Sequence, residues 1–76
     1  MNTPFRICLS SPPDRNKLVV EVFFENQQWA ELNQEGQDIE IEFYHRMDGH
    51  PWKIPYDQAI LALKEARIKF VSSDQY

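Results

Sequence analysis

The sequence predicts an α+β domain: an antiparallel β-meander of three to four strands with one C-terminal helix packed on one face. Three observations lead there. Two segments, KLVVEVFFE and DIEIEFYH, are rich in β-branched and aromatic residues or alternate apolar and polar with period two. Turn-forming residues separate the strand-like runs at short intervals, as in a meander. The segment YDQAILALKEARIKFV spaces its apolar residues by three, four and seven, as a helix does. The 76 residues make one domain, not two. It divides into an N-terminal strand and proline-rich turn over 1–16, the meander over 17–54, the helix over 55–71 and a frayed tail over 72–76.

Phe5 to Ser10 is a short candidate strand, broken by Ser11, Pro12, Pro13 and Asp14, because proline lacks an N–H donor and restricts the path. Lys17 to Glu25 is the strongest strand. Asn26-Gln27 forms the turn to a strand over Gln28–Gln34, and Glu35-Gly36-Gln37 turns into Asp38–His45. Asp48-Gly49 reverses the chain, since glycine accepts positive φ. Pro51 and Pro55 stiffen the return, and Pro55 suits the first turn of a helix. Trp52 is placed to close the open end of the core, where its indole N–H needs a turn carbonyl. Along the helix, Tyr56, Ala59, Ile60, Leu63, Ala66 and Phe70 share one face; Asp57 near the start and Lys64, Arg67 and Lys69 toward the end suit its dipole.

Alternation along the strands assigns Leu18, Val20, Val22, Phe24, Ala30, Leu32, Ile39, Ile41 and Phe43 to the face the helix covers. A chain this short buries only about 60% of its unfolded surface, so this core is thin. The opposite face receives Glu21, Phe23, Glu25, Trp29, Glu31, Glu40, Glu42 and Tyr44, with Val19 and Asn33. From Leu18 to His45 there are seven acids and no lysine or arginine, while five of the eight basic residues follow this segment. The molecule is therefore electrically polarised.

A formal net charge of -4 disfavours nucleic acid and anionic membranes, which reward clustered cations. Carboxylates around the aromatic rings also oppose base stacking on this sheet. No run approaches the ~18 apolar residues of a membrane span, and no apolar signal region opens the chain. The expected setting is cytoplasmic. One cysteine, Cys8, excludes an internal disulfide and a multi-cysteine metal site, and its apolar neighbours suggest a small core residue.

Both histidines lie in FYHRMDGHPWKIP. His45 and His50 provide an acid–base pair with Arg46 or Lys53 as anion stabiliser, and His45, Asp48 and His50 an N/O metal set, but neither spacing matches a catalytic or ligand signature. The roles of the two histidines stay open. No phosphate-binding glycine loop or nucleophile elbow is present. The expectation is a protein with no catalysis, metal or cofactor of its own. A solvated polar face is the simplest account of the acidic surface. The sharper one is docking of a cationic protein, since Trp, Tyr and Phe anchor interfaces while carboxylates steer a basic partner.

WAELNQE and IEIEFYHRMDGHPWKIPYDQAILALKEA carry a resemblance. Trp29-Ala30-Glu31, Glu40 and Glu42, Arg46, Asp48-Gly49, Pro51-Trp52 and a helix from about Tyr56 are similar to small bacterial immunity proteins of contact-dependent inhibition and other polymorphic toxin systems. The match covers about two-thirds of the chain and excludes Met1 to Arg15. It implies neutralisation of one toxin domain, often a nuclease, by covering its active site. Glu21, Phe23, Glu25, Trp29, Glu31, Glu40, Glu42 and Tyr44 are the expected partner-binding residues. The alternative is a generic interaction module, homodimeric through Leu61 and Ile68, two aliphatics off the main helical stripe.

Overall fold

A computed structural model describes residues 4–13 and 17–73. The strands are β1 (Phe5–Ser10), β2 (Val19–Phe24), β3 (Gln27–Asn33) and β4 (Glu40–Phe43), followed by the helix α1 (Tyr56–Ser73). They form one antiparallel sheet in the order β1-β2-β3-β4. The N-terminal segment is thus a full member of the sheet, paired along its length with β2. Among the described residues, no helix is long and apolar enough to cross a membrane. The first turn expected to follow β1 extends to Asp14, and the frayed tail to Tyr76. Asp14 and residues 74–76 lie outside the described residues, while Ser72 and Ser73 continue the helix.

The β2–β3 hairpin turns on Glu25-Asn26, one residue earlier than expected. Both have positive φ, 50° and 68°, the signature of a type I′ turn that matches the twist of the flanking strands. This turn pairs Phe24 with Gln27 and Phe23 with Gln28. Continued without a break, it would place Glu31 opposite Val20, on the core face. A bulge prevents this: Val22 pairs with Ala30, and Trp29 is the extra residue. The bulge returns Ala30 and Leu32 to the core and Glu31 to the other face.

The bulge also corrects the expected place of Trp29. Strict alternation sends it to the acidic face. Instead its ring packs among Phe5 and Phe43, with centroids 5.8 and 5.6 Å away, and it is 8% exposed. Trp29 is a core residue. Around it lie Val20, Val22, Phe24, Ala30 and Leu32 from the sheet and Ala62, Ala66 and Phe70 from the helix. Burying each large side chain of this set contributes about 1.5–3 kcal/mol.

The helix lies over β1 and β2, touches β3 and stops short of β4. The core expected on β4 fails for that reason. Ile41 and Phe43, assigned to the core, are 43% and 59% exposed, and Leu18 is exposed as well. The buried helical stripe is also rotated: it centres on Ala62, Ala66 and Phe70, while Ile60 and Tyr56 are exposed. Ala62 and Ala66 are the buried small residues of this stripe. Pro55 stands just before the helix and its carbonyl accepts the Ala59 N–H at 2.9 Å. Asp57 occupies the first turn, but the helix outlasts Lys69 and its last turn holds no cation.

Candidate functional site: the acidic face and the open edge

Cross-strand register fixes the face opposite the helix. Cys8 pairs with Glu21, Glu21 with Glu31, and Glu31 with Glu42. Three carboxylate side chains thus stand in one row across β2, β3 and β4. Directly opposed residues are about 4.5–5.5 Å apart at Cβ, a spacing at which like charges repel. Cys8 lies on this face beside Glu21, half-buried, and not in the core as its neighbours suggested.

A polar network holds the Glu31 and Glu42 members of the row. The Asn33 side-chain amide donates to Glu31 Oε2 at 3.0 Å and to Glu42 Oε2 at 2.6 Å. The Tyr44 hydroxyl donates to Glu31 Oε1 at 3.1 Å. Asn33 is 1% exposed and Glu31 5%. Charge-assisted bonds of this kind are roughly twice as strong as neutral ones, which is how a carboxylate is kept at such burial. Glu31 and Tyr44 therefore shape this face more than they offer themselves to a partner. Glu21, Glu42 and Phe23 are half-buried, and Glu25 and Glu40 are exposed.

Phe23 is covered by a neighbour that the sequence pattern missed. Arg6, opposite it on β1, lays its guanidinium 4.4 Å from the ring centroid. Such a cation–π contact contributes about 0.5–1 kcal/mol at an exposed site. The acidic face thus carries a cation at its β1 side, and only the pairing of β1 with β2 reveals it.

Three exposed acids stand around β4: Glu35 and Asp38 in the β3–β4 loop, and Glu40 at the start of the strand. On the helix side of the same strand lies an apolar groove of about 320 Å³. Leu32, Ile39 and Ile41 form its floor, and Ile60 and Leu63 its wall. Lys64 and Arg67 edge it along the helix. Beyond its end, Phe43 presents its exposed ring and Met47 is nearly bare.

The histidine-bearing stretch after β4 is a built turn. Gly49 N–H donates to Arg46 C=O at 3.1 Å, and Gly49 takes φ 78°. Arg46 Nε donates to both Asp48 oxygens at 3.0 Å, and His50 N–H donates to Asp48 Oδ1 at 3.0 Å. That backbone hydrogen bond, with Arg46 beside it, holds the Asp48 carboxyl below the usual 3.8. His45 and His50 are both exposed. Among the described residues, no three His, Cys, Asp or Glu side chains converge as a metal site. Trp52 takes the expected place, its Nε1–H donating to the Tyr44 carbonyl at 2.8 Å and its ring meeting Phe24 edge-on.

No family model, curated protein or solved structure matches the chain.

Proposed function

We propose that this chain is a non-catalytic binding protein of the immunity or inhibitor type, which neutralises a basic protein, such as a nuclease toxin domain, by docking on it. The observation that carries the reading is the clustering of exposed Glu35, Asp38 and Glu40 beside the exposed apolar side chains Ile41 and Phe43. Carboxylates there steer a cationic surface, and the apolar strip supplies the desolvated contact that holds it. Glu21 and Glu42 extend the negative field along the sheet behind this edge. Such a partner is covered without any bond being made or broken.

Co-purification with the product of the neighbouring gene tests the proposal. Glu35→Lys with Glu40→Lys is the informative variant, because both positions are exposed and the Asn33 network is left in place. Loss of the basic partner in the double variant is the expected result. Retention of every interaction after this charge reversal overturns the proposal.

A second reading rests on Leu61 and Ile68, which are both exposed on the outer side of the helix. A generic module dimerising through them gives a concentration-dependent dimer in light scattering that Leu61→Glu abolishes.

A further inference from the structure

β4 is an edge strand: β3 pairs with one side of it, and among the described residues no strand pairs with the other. Its ladder shows which groups face out. Tyr44 N–H donates to the Trp29 carbonyl at 2.9 Å. Main-chain bonding alternates along an antiparallel pair, so Glu40 and Glu42 also turn their N–H and C=O groups toward β3. Ile41 and Phe43 turn theirs to the free edge. These same two residues aim their side chains toward the helix side, where the groove lies. Main-chain donors, main-chain acceptors and an apolar groove therefore coincide on one short strand.

We infer that this edge takes up an extended segment of the partner by strand addition. The inference rests on the basic-partner reading above and specifies how that partner binds. A strand laid against β4 alternates its side chains between two faces. On one face they meet the carboxylates of Glu40 and Glu42, which select Lys or Arg. On the other they enter the groove over Leu32, Ile39 and Ile41, which selects aliphatic residues. Lys64 and Arg67 on the groove rim repel a cation placed on that side, so the reversed register is penalised. The segment recognised is a strand of alternating basic and aliphatic residues.

Charge opposes a second copy of this chain in the two registers that pair β4 with itself over three residues. Antiparallel pairing of β4 with itself centred on Glu42 sets that carboxylate against its own copy, and centring on Ile41 sets Glu40 against Glu42. Like charges directly opposed across strands are destabilising. A basic strand removes that repulsion and adds cross-strand ion pairs.

The test uses the isotope-labelled chain and a synthetic strand of alternating Lys and Val, about eight residues long. Amide hydrogen exchange is read residue by residue. Slower exchange at Ile41 and Phe43, with Glu40 and Glu42 unchanged, is the expected result. Ile41→Thr and Glu40→Lys each weaken this binding several-fold, and a Glu/Val strand does not bind. Equal binding of a Lys/Ser strand removes the groove from recognition and overturns the inference. Binding of the Lys/Val strand without slower exchange at Ile41 and Phe43 overturns strand addition while leaving the basic-partner reading intact. If a basic protein partner is retained and the Lys/Val strand is not, the inference alone falls. If neither is retained, both fall. Protection of Ile41 and Phe43 in the chain alone, lost on dilution, assigns the edge to a second copy and also overturns it.

Discussion

The Asn33 amide nitrogen lies 2.6 Å from a Glu42 carboxylate oxygen across the β3–β4 ladder, while bonding Glu31 on its own strand. One buried donor thus serves two carboxylates of a row that repels itself. Replacing it by Ala removes both charge-assisted bonds, and a loss of about 2 kcal/mol is expected. Urea unfolding measures it. Unchanged stability in Asn33→Ala means that the network does not hold Glu31 and Glu42 in the row.

Trp52 fastens the segment after β4 to the sheet by its ring and by one hydrogen bond to Tyr44. Two variants separate these contributions. Trp52→Phe keeps a ring and loses the bond, with an expected cost of about 1 kcal/mol. Trp52→Ala loses the packing as well and costs about 3 kcal/mol. Equal stability in the two variants, measured by denaturant midpoint, shows that the ring contributes nothing.

The Glu25-Asn26 turn holds two non-glycine residues at positive φ. Asparagine tolerates this conformation, and glutamate does so less readily. Changing the pair to Asn-Gly, the preferred type I′ sequence, stabilises the hairpin by about 1 kcal/mol. A raised thermal midpoint is the expected outcome. A lowered one means that Glu25 makes a contribution the turn geometry does not explain.

Some of this architecture is legible in sequence, and the losses have physical causes. Alternation in Val20, Val22 and Phe24 marks the core side of β2, because both neighbouring strands and the helix bury it. The Trp52 indole finds its turn carbonyl because the flanking prolines and Asp48-Gly49 leave the return path few alternatives. Trp29 is misread because a bulge adds one residue and changes the face it occupies, which no period-two count registers. Ile41 and Phe43 look like core because they alternate correctly, but α1 lies toward β1 and leaves them open. Periodicity states which face a residue takes and not whether another element covers it. Arg6 escapes notice for a related reason: it reaches Phe23 only through strand pairing. The expected acidic face survives as the Glu21, Glu31 and Glu42 row, but the exposed acids shift attention to β4.

Asp48 gives the Gly49 turn a pH dependence. Its carboxyl is held below 3.8 in the folded chain, first by the His50 N–H and also by Arg46. A depressed folded value contributes stability that is present above 3.8 and lost as pH falls through the lowered value. In NMR the His50 amide resonance is therefore expected to move below pH 3.8, and Asp48→Asn removes that step. A step above 3.8 reverses the assigned sign.

Recruitment of a basic protein by the exposed acids beside β4 is tested by its association rate. The rate is measured with the neighbouring-gene product as a function of ionic strength. Exposed charges are screened beyond about 8 Å at physiological salt, so a steered encounter slows as salt rises. A rate that falls steeply with salt is expected, with a much weaker salt dependence in Glu35→Lys with Glu40→Lys. A rate independent of salt and unchanged by that charge reversal rules out recruitment by these acids.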